Sequence, residues 1–116
     1  MEKDLFLSEY DEEKNCITLR LCGEIDHHSS AVMRHKIDEM LLMMQPKKLY
    51  LDLSTVDFMD SSGLGLIMGR YSLMERLNGE TILLEPTERI KKILTLAGMD
   101  KRIRIEKRKV EANEKK

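Results

Sequence analysis

The sequence lacks a basic excess, a long apolar run and any cysteine pair at metal-binding spacing. Basic side chains number 20 against 21 acidic ones, so no field is available for non-specific nucleic-acid binding and proteins are the expected partners. No stretch approaches the roughly eighteen apolar residues that a membrane-spanning helix needs. The start, Met1-Glu2-Lys3-Asp4, resembles no signal peptide, so no membrane association and a cytoplasmic location are expected. Cys16 and Cys22 are the only cysteines. Six residues apart with no CxxC, they read as buried free thiols.

Nucleotide and hydrolase motifs are missing as well. Gly63, Gly65 and Gly69 imitate GxGxxG, but a dinucleotide fingerprint turns tightly at the end of a strand, and about ten residues intervene here. GxxxxGK[ST] is absent, and so is the GxSxG nucleophile elbow. His27 and His28, placed in a loop after the second strand, make a poor metal site because adjacent side chains diverge and three or four ligands are needed. Asp57 and Asp60 read as caps or solvated charges rather than an acid–base pair. Neither catalysis nor a cofactor or metal is expected.

What is present is a single-domain pattern. A chain of 116 residues, 41% hydrophobic and 35% charged, is enough for one core. Residues 4–10 and 16–22 read as a hairpin around a turn at Asp11 to Asn15, with Ile17, Leu19 and Leu21 alternating with polar neighbours. From an N-cap at Ser29 or Ser30, the residues Met33, Ile37, Met40, Leu41 and Met44 form one helix face that Pro46 closes. Leu49, Leu51 and Leu53 form a third strand, followed by a loop over 54–60.

A second helix carries Leu64, Ile67, Met68, Tyr71, Met74 and Leu77, and stops at Asn78-Gly79. Gly65 and Gly69 share a face of it, which implies close backbone packing. Thr81 to Leu84 is a short strand. Pro86 opens a third helix with Ile90, Ile93, Leu94 and Ala97, closed by Gly98, before an edge strand at Ile103 and Ile105. Strands alternating with helices after a hairpin predict an α/β fold, a mixed sheet with helices mainly on one face. The domain spans 1–105, and 106–116 is a charged tail or frayed helix.

The segment Asp57-Phe58-Met59-Asp60-Ser61-Ser62-Gly63-Leu64-Gly65 sets two hydroxyls at a helix start. Helix amides there can hold an anion, and neighbouring carboxylates raise the cost of added negative charge to a docked partner. This combination suggests a phosphorylation switch.

Phe58 to Gly65, Gly69-Arg70-Tyr71 and Gly23-Glu24-Ile25-Asp26-His27-His28 resemble the bacterial anti-sigma factor antagonists, most of all their sporulation type, over about residues 5–105. The resemblance implies the STAS fold and a switch rather than an enzyme. It implies that the unphosphorylated protein binds an anti-sigma factor, which is also an ATP-dependent serine kinase, and so frees a sigma factor. A serine phosphatase resets the switch. Ser61 matches the phosphate acceptor, and Ser62 reads as a structural cap. The partner surface carried over comprises Glu24, Asp26, His27, His28, Asp60, Ser61, Ser62 and Gly63. Antagonists of general stress pathways share the Asp-Ser-Ser-Gly core, and a nucleotide- or anion-binding STAS module is the alternative of another class. A monomer is expected in isolation, since no coiled-coil or exposed apolar repeat is evident.

Overall fold

A computed structural model describes residues 5–107. The elements follow one another as β1 (Phe6–Asp11), β2 (Cys16–Ile25), α1 (His27–Met44), β3 (Lys48–Met59), α2 (Ser61–Arg76), β4 (Glu80–Leu84), α3 (Glu88–Leu96), a 3-10 turn (Met99–Lys101) and β5 (Arg104–Glu106). They build one five-stranded sheet in the order β1-β2-β3-β4-β5. The hairpin pair β1–β2 is antiparallel, and the three other pairings are parallel. Consecutive parallel strands joined by right-handed crossovers place every connecting helix on the same side of the sheet. The mixed sheet with one helix-covered face agrees with the sequence pattern.

Alternation sets the two faces. Ile17, Leu19, Leu21, Leu49, Leu51, Leu53 and Leu83 are buried in one core with Met33, Ile37 and Leu41 of α1, Leu66, Ile67, Leu73 and Met74 of α2, and Ile90 and Leu94 of α3. The intervening residues Thr18, Arg20, Tyr50 and Asp52 lie on the opposite face, where Arg20 Nε meets Asp52 Oδ2 at 3.2 Å. Cys16 and Cys22 share that face as free thiols, half-buried rather than buried.

Several boundaries differ from the sequence reading, each for a local reason. The loop expected at 54–60 is strand: β3 runs to Met59. Its pairing with β2 slips twice, between Arg20 and Cys22 and between Gly23 and Glu24, and each slip gives β3 one extra residue. Two bulges therefore turn a two-residue period into the three-residue spacing of buried Leu53, Val56 and Met59, which looks irregular in the sequence. β2 likewise continues to Ile25, through Gly23 at φ +75, a left-handed conformation open to glycine without steric cost.

Helix α1 begins earlier than Ser29: Asp26 is its N-cap, and His27 and His28 lie in its first turn instead of a loop. Thr87 caps α3, so Pro86 precedes the helix rather than opening it. In α2 the buried stripe is Gly63, Leu66, Ile67, Arg70, Leu73 and Met74, whereas Leu64, Met68, Tyr71 and Leu77 pack at its margin. The buried stripe thus includes Arg70, which is paired with Asp38 of α1. Of the segment 106–116, residues 108–116 lie outside the described residues.

Candidate functional site

Two helices start side by side at one end of the sheet. Ile25 and Met59 are the last paired residues of β2 and β3, and the next residue in each chain segment is an aspartate that caps a helix. The Asp60 N–H donates to the Ile25 carbonyl at 3.2 Å, which ties the two starts together. The sequence elements Asp26-His27-His28-Ser29 and Asp60-Ser61-Ser62-Gly63 are thus equivalent first turns.

Their chemistry differs. At α1, the Asp26 carboxylate accepts from the Ser29 N–H at 2.9 Å, and the Asp26 N–H donates back to Ser29 Oγ at 3.0 Å, a reciprocal capping box. The Ser29 hydroxyl also donates to the Glu24 carbonyl at 3.2 Å. These bonds from Ser29, led by its backbone N–H, hold the Asp26 pKa below the usual carboxylate value. At α2, Asp60 Oδ1 accepts from the Ser62 N–H at 2.8 Å. The return bond is impossible, because position 63 is glycine. A Cβ there would lie 2.7 Å from Met59 Cβ and 3.3 Å from Ile25 Cγ2, so glycine lets the helix start settle on both strand ends. Gly65 and Gly69, expected to be the packed pair, face open space: a Cβ at either position would meet nothing within 4 Å.

Ser61 is exposed in the first turn of α2, and Ser62 is half-buried. The α2 amides are less available to an anion than the sequence implied. Ser62 N–H is held by the Asp60 side chain, while Gly63 N–H and Leu64 N–H reach the Asp60 carbonyl at 2.9 and 3.3 Å. A group added to Ser61 therefore finds the Ser62, Gly63 and Leu64 amides already engaged.

The structure brings Asp26, His27, Asp60, Ser61, Ser62 and Gly63 to one end of the sheet. His27 and Ser62 line a common cleft of about 280 Å³ between α1 and α2, with Ser30, Ala31, Arg34, Gly65 and Leu66. His28 is exposed on the same first turn but does not line that cleft. Glu24 stands apart: it pairs with Phe58, and both alternate with the buried Ile25 and Met59, which turns them to the helix-free face. Phe58 is 44% exposed there. Asp57, expected in a loop, is an exposed strand residue. Among the described residues, no cluster of histidine, cysteine or acidic side chains could hold a metal, and no helix is long and apolar enough to cross a membrane.

Sequence reasoning did not single out Arg34, and it named Arg70 only within the run Gly69-Arg70-Tyr71, without a role. Arg70, only 5% exposed, reaches from α2 to α1, with Nε 2.8 Å from Asp38 Oδ1, and its Nη1 donates to the Leu66 carbonyl at 3.2 Å. Burial lowers the Arg70 pKa, Asp38 opposes that shift, and the charge of nearby Arg34 adds to it. The signal for Arg34 was present in the spacing of His27, Ser30, Ala31 and Arg34, which is one face of a helix that starts at Asp26.

Residues 8–112 match the STAS domain family. An anti-sigma F factor antagonist of Paenibacillus polymyxa is 36% identical over 93 residues, 80% of each chain. The anti-sigma-B factor antagonist of Bacillus subtilis is 31% identical over 88 residues, 76% of this chain and 79% of that one. Among solved structures, the anti-sigma factor antagonist SpoIIAA in its unphosphorylated form superposes with a TM-score of 0.77 at 29% identity, covering 95% of this chain and 91% of that one. The phosphorylated form of SpoIIAA from Bacillus superposes at 0.71, also at 29% identity, covering 95% of each chain.

Proposed function

The chain belongs to the STAS-domain family, and from that premise we propose that it is an anti-sigma factor antagonist: a binding protein switched by phosphorylation of Ser61, not an enzyme. Unphosphorylated, it binds an anti-sigma factor that is also its serine kinase and releases a sigma factor. A serine phosphatase restores the binding form. The relative named for sigma-F supports a sporulation role over a general stress role, being 36% identical against 31% for the sigma-B antagonist.

The observation that carries the reading is the exposed Ser61 hydroxyl at the first turn of α2, beside the Asp60 carboxylate and Asp26 of the adjoining helix. A phosphate brings about 1.5 to 2 negative charges at neutral pH. With Asp60 already holding the Ser62 amide, that charge is directed toward whatever docks on the sheet end, where like charge and desolvation oppose binding. A loss of about 3 kcal/mol lowers affinity more than a hundredfold. The helix itself needs no rearrangement, since its cap bonds leave the Ser61 side chain outside. A solved relative known in both phosphorylated and unphosphorylated forms supports such a switch.

Incubation with the cognate anti-sigma factor and ATP, followed by peptide mass mapping, tests the proposal. Phosphate is expected on Ser61 and absent from Ser61→Ala, and Ser61→Asp should bind the anti-sigma factor weakly while keeping the wild-type circular dichroism. Incorporation elsewhere, or none, overturns the assignment.

A further inference from the structure

The cleft between the first turns of α1 and α2 has a cation, Arg34, on its wall. Arg34 is exposed there, and among the described residues it makes no ion pair. The acid one turn further along α1, Asp38, is committed to Arg70, through Nε at 2.8 Å and Nη2 at 3.4 Å. Arg34 is close enough to Arg70 for the two charges to repel, and the Asp38 carboxylate is spent on Arg70 rather than on Arg34. Among the described residues no carboxylate lines the cleft: its other members are His27, Ser30, Ala31, Ser62, Gly65 and Leu66.

The floor is also shaped for entry. Gly65 places no side chain in the opening, and Ser62 and Ser30 present hydroxyl-bearing side chains around it. A planar guanidinium pairs with a carboxylate through two parallel hydrogen bonds, better than an ammonium does. Resting on the function proposed above, we infer that the α1–α2 cleft receives an acidic side chain of the anti-sigma factor, and that Arg34 is the specificity-determining residue that selects it.

The consequence is a division of labour on one surface. The cleft attracts a partner carboxylate, and a phosphate at Ser61, on the residue adjoining Ser62, places a second anion at the mouth of the same cleft. That phosphate repels the incoming carboxylate.

Titration calorimetry of the full chain against the cognate anti-sigma factor, at low and moderate salt, decides the matter. Arg34→Glu should weaken binding roughly tenfold or more and flatten its salt dependence. Arg34→Lys, which keeps the charge without the planar fork, should fall between Arg34→Glu and wild type. Lys91→Glu, an equal charge change on exposed α3, should bind as wild type does. Arg34→Glu binding like wild type, or Lys91→Glu losing as much, overturns the inference while leaving the switch reading intact. Failure of the wild-type chain to bind the anti-sigma factor overturns the switch reading itself, and the inference with it. A third arm titrates the isolated protein with inorganic phosphate: Arg34-dependent binding there would assign the cleft to a small anion and overturn its assignment to a partner side chain.

Discussion

The starts of α1 and α2 are the same device used twice, and the position three residues after each capping aspartate separates them. In α1 that position is Ser29, which returns the bond of Asp26 and closes the turn on itself. In α2 it is Gly63, which packs on Met59 and Ile25 and leaves Asp60 to bond the neighbouring strand end instead. One turn is fastened by its own side chains. The other is held from beneath, which leaves its outer hydroxyl, Ser61, uncommitted in any cap. A switch site needs the second arrangement, because a side chain that secures the helix could not be modified without loosening it.

The comparison breaks most visibly at Gly63. Gly63→Ala drives a Cβ against Met59 Cβ, and should cost about 1 to 3 kcal/mol in urea unfolding. Gly65→Ala, in open space, should instead stabilise by up to about 1 kcal/mol. If both glycines proved equally tolerant, the support of α2 from beneath would be refuted.

A smaller effect is expected from the paired serines. Ser29→Ala removes the return bond to Asp26 and the bond to the Glu24 carbonyl, a loss of about 1 to 2 kcal/mol. Ser62→Ala, whose hydroxyl serves no cap, should stay within about 0.5 kcal/mol. Equal losses in thermal unfolding would show that the two turns do not differ as described.

The smallest effect is a pH dependence confined to α1. The Asp26 pKa is lowered on folding, so its contribution is complete above the ordinary carboxylate value and is lost as pH falls through the lowered folded value. Asp26→Asn keeps a capping side chain but not the charge. Thermal scans between about pH 6 and about pH 2.5 should show wild type losing slightly more stability on acidification than this variant; parallel curves would remove the charge from the account. Asp26→Ala is the wrong probe of the partner surface, because it opens the capping box and mixes a structural loss with any binding loss.

How far the fold was legible depends on how local its causes are. The hairpin, the alternation of helices and strands, and the apolar faces of α1 and α3 are written in spacings of two, three and four residues. Those spacings fix which side chains share a face regardless of what lies opposite. The end of β3 was not legible, since its two bulges exist only through pairing with β2, and Leu53, Val56 and Met59 follow the bulged register. The start of α1 was misplaced for a related reason: Ser29 is a strong capping residue, and only the reciprocal bond with Asp26 shows that it serves from inside the helix.

The sequence alone determined the α/β class, the placement of Asp60-Ser61-Ser62-Gly63 at a helix start, and the resemblance to the anti-sigma factor antagonists. The first two follow from short-range chemistry, and the third from the match of Gly23 to His28 and Phe58 to Gly65 to that family's motifs. The tertiary structure decided which glycine is packed, that the Ser62, Gly63 and Leu64 amides are already engaged, that Arg70 is buried against Asp38, and that Arg34 and Ser62 line one cleft. These depend on where two helices far apart in sequence meet, and no local spacing encodes that meeting.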